Sequence, residues 1–349
     1  MKLGNVFKLS SGKSLPEKKR TSGIHNVYGG NGITGNHNEY FVDNPTIVIG
    51  RVGEYCGAVH LTTEKCWVTD NALMVTNWYQ EIDKKYLVYM LNAMNLHQYA
   101  KTVGQPSISQ ANIYNLDVDL PLIARQEEIV KVLDSVNEVI KLRKQQLQQL
   151  DELVKARFVE LMNTNYSYNL LSDFITSYKA ERCGDRDLPV LSITKDDGIV
   201  LQNEKFKKRI ASVDASTYKV VPRGKLVQGI HIDERNFAIQ NIVDEGIVSP
   251  AYKIWTVDTT KAVPEVLAFA LRTDRTMAYI SSKFTGSVKR RESISLSDFM
   301  ATPIDLPNMS IQKEFAAFVE QIDKSKVAVQ KALDEAQTLF DSLMQKYFG

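Results

Sequence analysis

The chain repeats itself. At a fixed offset of 186, Ser107, Ile108 and Ser109 return as Ser293, Ile294 and Ser295. Asp119, Leu120 and Pro121 return as Asp305, Leu306 and Pro307, and Gln126 and Glu128 as Gln312 and Glu314. That is eight identities in 22 positions without a gap. Such a repeat fixes architecture before any local reading, because the two copies are two examples of one unit. Each Leu-Pro is followed by a long polar stretch with apolar residues at helical spacing. The unit is therefore a globular block followed by a long helix.

Residues 123–162 hold no Gly or Pro, and Ile129, Val132, Val136, Ile140, Leu147, Leu150, Val154 and Leu161 form an apolar stripe. Some 40 residues at 1.5 Å rise would be about 60 Å long, beyond an ordinary globular helix. The stripe is narrow, which points to one partner helix, although Arg143 interrupts it. The second helix, 310–347, carries Phe315, Phe318, Ile322, Val329, Ala332, Ala336, Leu339 and Leu343. The simplest expectation is an antiparallel coiled coil. Its seam would be Val136, Ile140, Leu147, Leu150 and Val154 against Ile322, Val329, Leu339 and Leu343.

The first block begins with short β-rich runs, at 46–49, 58–61 and 72–75, punctuated by glycines. Residues 84–100 then switch to helical period. This predicts a small α+β domain over 1–122, a spacer helix over 123–163, a second α+β domain over 164–307 and a second spacer helix over 308–349. In the second domain Val227, Gln228 and Gly229 stand where Val48, Ile49 and Gly50 stood, and 266–271 echoes 86–91.

Composition narrows the class. The net charge is +2, so any nucleic-acid surface must be local. The three cysteines have no metal-ligand spacing and suit reduced thiols. The start, MKLGNVFKLSSG, has no apolar signal core, and no apolar run is long enough to span a bilayer. These features point to a cytoplasmic protein without a membrane partner. His25, His37, His60, His97 and His231 show no metal spacing, so no metal is expected.

The order of motifs resembles the specificity (S) subunit of type I restriction-modification systems. Tyr28-Gly29-Gly30-Asn31-Gly32-Ile33-Thr34-Gly35, Ile49-Gly50-Arg51-Val52-Gly53 with Tyr55, and Trp67-Val68-Thr69-Asp70-Asn71-Ala72 look like its target recognition domain. Pro106 to Gln110, Leu120-Pro121-Leu122 and Gln126 to Val130 look like its junction into a spacer helix. The second copy keeps the junction but loses the YGGNG turn and the GRxG element. The resemblance implies that each domain reads one half of a bipartite, asymmetric target in double-stranded DNA, with the paired helices spacing the halves. It implies docking of methyltransferase (M) subunits, two of them, which methylate adenine, and of restriction (R) subunits. S-adenosylmethionine, ATP and Mg would sit on those partners, with no cofactor on this chain.

Individual positions carry two readings each. Gly29–Gly35 is a hairpin needing positive φ, or a loop whose bare backbone approaches DNA with Tyr28, Gly30 and Asn31 at the duplex. Arg51 is a surface ion pair, or a phosphate or guanine contact, with Tyr55 beside it. Lys289, Arg290 and Arg291 occupy the place of Gly104-Gln105-Pro106 just before the shared Ser-Ile-Ser. Both segments, with Gln105, Ser107 and Ser293, are expected to face the duplex, as are Gln228 and His231 in the second domain. Ser107 and Ser293 are read as helix or turn caps, not nucleophiles. The cluster Lys205, Lys207, Lys208 and Arg209 reads as a solvated loop.

No Asn-Pro-Pro-aromatic tetrapeptide, Walker motif or nuclease cluster is present, so the chain offers binding surfaces without catalytic chemistry. Two other readings stand beside this one. One is a coiled-coil scaffold whose globular domains bind protein, which the near-neutral charge suits. The other is the specificity module of another methyltransferase-linked restriction system.

Overall fold

The structure, a computed structural model, describes residues 1–101, 104–162, 169–194, 198–205, 214–284 and 294–349. It divides into two compact units: Met1–Gln146 with Val329–Gly349, and Leu147–Ala328.

The first unit contains strands β1 (Phe7–Ser11), β2 (His25–Gly29), β3 (Gly32–His37), β4 (Ile47–Gly50), β5 (Val59–Leu61), β6 (Trp67–Val68) and β7 (Ala72–Trp78). Helices α1 (Lys84–Ala93), α2 (Gln110–Tyr114) and the start of α3 (Ile123–Met162) follow. An antiparallel sheet of order β1-β7-β4-β5 forms the body, and a second sheet, β3-β2-β6, stands beside it. The all-buried burial pattern of β4 matches its four unbroken apolar and glycine residues. Phe7, Ile47, Ile49, Leu73, Leu87 and Leu91 form the centre of the core, each 2% exposed or less. Asp83 caps α1 by accepting from the Tyr86 amide at 2.9 Å. The expected helix over 84–100 is two elements. α1 stops because Asn95 turns left-handed, at φ 45°, before a short 3-10 turn over Leu96–Tyr99.

The second unit holds β8 (Asn169–Leu170), β9 (Ile175–Ser177), β10 (Leu191–Thr194), β11 (Gly198–Leu201), α4 (Gln202–Lys205), β12 (Lys219–Pro222), β13 (Leu226–Gln228), β14 (Phe237–Ile239), β15 (Glu245–Val248) and β16 (Lys253–Val257). Then come α5 (Pro264–Leu271), α6 (Asp274–Ser282), α7 (Leu296–Met300), β17 (Pro303–Ile304) and α8 (Met309–Phe348). Its main sheet, β9-β16-β13-β14, is also antiparallel throughout. Strand for strand this is the first unit's β1-β7-β4-β5, so the duplication extends to topology.

The repeated residues do matching work in each unit. Gln126 and Gln312 are both 2% exposed. The Gln126 amide donates to the Pro121 carbonyl at 2.8 Å, and its Oε1 accepts from Asp83 N, the N-cap of α1, at 3.0 Å. Gln312 donates to the Pro307 carbonyl at 2.8 Å and accepts from Val263 N, the N-cap of α5, at 2.8 Å. Each glutamine thus ties the start of a long helix to the start of a domain helix. Leaving such buried partners unpaired costs about 1–3 kcal/mol per group. Ser109 and Ser295 cap α2 and α7, accepting from Asn112 N and Asp298 N at 3.2 and 3.0 Å. The caps are these two serines and not Ser107 as expected; Ser293 lies outside the described residues.

Both long helices obey the same offset. Ile123 to Met309 and Met162 to Phe348 are each steps of 186. Positions 126, 129, 133, 136, 140, 143, 147, 150, 154, 157 and 161 of α3 are all buried or half-buried, and so are the positions 186 later on α8. Their steps of three and four are the heptad spacing of a coiled-coil seam. Val136, Ile140, Leu147, Leu150, Val154, Ile322, Val329 and Leu343 lie on this buried or half-buried row. Leu339 does not: it is 51% exposed, and Leu333 and Phe340 occupy the seam instead. Val132, 40% exposed, likewise gives way to Leu133, which is fully buried. Arg143 sits in the seam, half-buried, donating to Gln146 Oε1 at 2.8 Å.

Within the second unit, Asp151 pairs with Lys326 at 2.5 Å and Arg157 with Glu314 at 2.6 Å, so these two helix segments run antiparallel. Phe158 and Phe315 meet at 5.3 Å, with Phe269 against both. Within the first unit, Tyr86 packs on Phe348 at 5.3 Å and Tyr89 on Phe340 at 6.1 Å. The Tyr89 hydroxyl donates to Asp134 at 2.7 Å, and burial with that bond pushes its pKa well above the ordinary phenol value.

Candidate nucleic-acid interface

Three loops of the first unit converge. The β2–β3 hairpin turns on Gly30 and Asn31, with Gly29 opposite Gly32 at φ 80°. The turn after β4 begins at Gly50, where an added Cβ would lie 2.2 Å from the Gly30 carbonyl oxygen. Only a glycine there lets the two loop backbones touch. The third segment, 105–108, is stitched to the second. Gly53 N donates to Pro106 O at 2.9 Å and Ile108 N to Arg51 O at 2.9 Å. Ser107 bridges Val52 on one side and Lys101 on the other.

Beside this junction opens a cleft of about 700 Å³, lined among others by Ser11, Arg51, Lys101, Ser107, Ser109 and Tyr114. Arg51 and Lys101 are both exposed. Arg51 Nη1 donates to Ser11 Oγ at a long 3.4 Å. Among the described residues neither cation has an acidic partner within ion-pair distance. An unneutralised pair of cations in a concave, hydroxyl-lined place suits an anion.

The expected site residues of this unit separate into two groups. Gly30, Asn31, Arg51, Tyr55, Gln105 and Ser107 lie on the converging loops. Asn31, Arg51, Tyr55 and Gln105 are exposed, Tyr55 at 53%. Tyr28 is interior: it is 3% exposed, and its hydroxyl accepts from Thr63 N at 2.9 Å. It holds the small sheet together and does not present a ring to a duplex. Lys101, Ser11 and Ser109 were not legible as site residues, since Lys101 is a lone lysine and the cleft depends on a pairing across the chain.

In the second unit Gln228 is also interior. It is 2% exposed, and its Oε1 accepts from the Trp255 indole at 3.0 Å. His231 is exposed on the loop after β13. Lys289, Arg290, Arg291 and Ser293 lie outside the described residues, as do Lys207, Lys208 and Arg209; Lys205 is exposed in α4. Cys56, Cys66 and Cys183 are buried free thiols. Among the described residues no three His, Cys, Asp or Glu side chains cluster to hold a metal ion. No helix among them is long and apolar enough to cross a membrane.

Residues 1–152 match the family model described as the type I restriction modification DNA specificity domain. A stretch of 137 residues, 38% of the chain, is 34% identical to the type I restriction enzyme EcoprrI specificity subunit of Escherichia coli. That match spans about a third of the relative, 34% of its length. Among solved structures, the type I restriction-modification S subunit of M. genitalium superposes with a TM-score of 0.61 at 13% identity, covering 100% of this chain and 95% of that one. A chain from a study of complex assembly and conformational transition in the type I R-M system gives 0.56 at 12%, covering 100% and 96%. At such identities the likeness speaks for the fold.

Proposed function

We propose, from the match of residues 1–152 to the type I restriction modification DNA specificity domain, that the whole chain is the DNA sequence-recognition subunit of a type I restriction-modification enzyme. It reads a bipartite, asymmetric target in double-stranded DNA, one half with each α+β unit, and carries no catalysis of its own. The observation that carries this reading is duplication with divergence. Two units share one strand order and one glutamine-tied junction, yet the second copy lacks the 28–35 turn and the 50–53 element of the first. A protein that bound the same ligand twice would have no use for two different loop sets. A reader of two unlike half-sites needs them.

In this reading α3 and α8 form an antiparallel coiled coil that sets the spacing of the half-sites. Two methyltransferase subunits and the restriction subunits dock on the chain. S-adenosylmethionine, ATP and Mg are bound by those partners, and the assembly works in the cytoplasm. The converging loops at Asn31, Arg51 and Gln105 are the first unit's contact with its half-site; the loop at His231 belongs to the second.

The test is reconstitution with an adenine methyltransferase encoded beside the chain's own gene, followed by mapping of methylated adenines on random-sequence DNA. Methylation at a split, asymmetric sequence is the expected result. A contiguous palindrome, or methylation independent of this chain, would overturn the reading.

A further inference from the structure

We propose that Arg51 and Lys101 together clamp a single backbone phosphate of DNA at the cleft of the first unit, so that Arg51 positions the duplex and does not read a base. The inference rests on the reading of this unit as a DNA-binding domain and names what one of its sites takes.

Three observations support the clamp. Ser107 is directly opposed to Val52 and to Lys101 in two antiparallel bridges. Directly opposed residues send their side chains to the same face, and all three line the cleft beside Arg51. The backbone ladder is tight: Lys101 N donates to Ser107 O at 2.8 Å and Ser107 N to Lys101 O at 3.2 Å. Lys101 is therefore held directly opposite Ser107, while Arg51, one residue before Ser107's other partner Val52, reaches the same cleft through its guanidinium, 3.4 Å from Ser11 Oγ.

The second observation is chemical. The cleft offers hydroxyls at Ser11 and Ser107 along with the two cations. Charged donors and hydroxyls are what a phosphodiester accepts from, whereas a guanine edge needs a single bidentate fork aimed into a groove. The third is electrostatic. Glu54 lies on the same turn as Arg51, and Asp70 on the 69–71 loop, whose Asn71 carbonyl accepts from Arg51 N at 2.9 Å. Both are exposed, and neither pairs with Arg51 among the described residues. The positive charge stays available for an external anion.

The experiment uses the full chain assembled with its methyltransferase partner. DNA affinity is measured against salt for the wild type, Arg51→Gln, Lys101→Gln and the double variant, on target and on random duplex. The slope of log affinity against log salt should fall by about 0.9 for each lost phosphate contact. Target and random duplex should weaken by the same factor, and the methylated sequence should not change. In a second arm, each phosphate around the first half-site is replaced in turn by an uncharged methylphosphonate. One position should weaken wild type and leave the double variant unaffected.

A changed recognition sequence in Arg51→Gln would overturn the proposal by making Arg51 a base reader. Unchanged salt slopes would remove both residues from the DNA. Inorganic phosphate binding that is lost in the variants, with DNA slopes intact, would make this a free-anion site and also overturn it. Both side chains are exposed, so unfolding midpoints should match the wild type. If the wild-type complex prefers no sequence at all, the reading as a specificity subunit fails, a result separate from any slope.

Discussion

His60 lies on β5 opposite Val48, with its ring beneath the Gly30-Asn31 turn, 3.3 Å from where a Gly32 side chain would begin. Its Nε2 is buried without a hydrogen-bond partner, and burial lowers its pKa from 6.5. The folded state therefore resists a proton that the unfolded chain accepts near its ordinary value of 6.5. Stability is full above that pH and declines as pH falls below it toward the depressed folded value. Urea unfolding at pH 7.5, 6.5 and 5.5 should show this decline, and His60→Gln should flatten it; the same acid dependence in both proteins would exclude His60 as its source. Gly50 makes a second prediction. An alanine there meets two backbone oxygens, Gly30 O at 2.2 Å and Tyr55 O at 2.4 Å, which have no room to retreat. Gly50→Ala should cost about 3 kcal/mol and, by pushing the loops apart, weaken DNA binding in excess of the stability loss. At this scale the sequence was half readable. Glycines at 30, 32, 50 and 53 announced turns, but nothing in a strand of mixed residues says that Tyr28 and Gln228 face inward. That depends on which partner supplies an amide or an indole, here Thr63 and Trp255.

At the scale of elements, the long helices were visible in the sequence to within a residue, because neither holds a Gly or Pro and both follow a Leu-Pro. Their seam was harder to place. Ala332-Leu333 and Leu339-Phe340 are adjacent apolar pairs, so two stripes satisfy steps of three and four equally well. The repeat decides between them. Position 147 of α3 is half-buried and its counterpart Leu333 is buried, whereas Leu153, 47% exposed, is the counterpart of Leu339 at 51%. Packing in one copy thus predicts packing in the other, which reading either helix alone cannot achieve. Two substitutions with the same chemistry test the assignment. Leu333→Ala should cost about 2–4 kcal/mol by leaving a hole in a packed seam. Leu339→Ala should stay within about 0.5 kcal/mol. Guanidinium unfolding of both variants checks this, and equal losses would return the seam to the other stripe.

Across the whole molecule, the units do not coincide with the halves of the sequence. The first unit needs Val329–Gly349 from the end of the chain, and the second needs residues 147–162 from the middle. The reason is visible in the cores. Phe340, Leu343, Met344, Tyr347 and Phe348 pack against the first unit's buried Tyr86, Leu133 and neighbours, and Val154 and Phe158 are members of the second unit's core. A chain divided between 162 and 169 would therefore give two fragments, each missing part of its own core and each displaying the apolar helix that completes the other. Loss of five half-buried apolar side chains from one core, or of buried Val154 and Phe158 from the other, is comparable with the roughly 5–15 kcal/mol that holds an ordinary domain folded. Fragment 1–162 expressed alone should bind a hydrophobic dye and unfold without a cooperative transition, and fragment 169–349 should do the same. Expressed together, they should purify as a one-to-one complex with a sharp transition, because each supplies the helix segment the other lacks. If either fragment alone proved monomeric and cooperatively folded, the borrowed helix end would be an accessory to that unit and not part of what makes it fold.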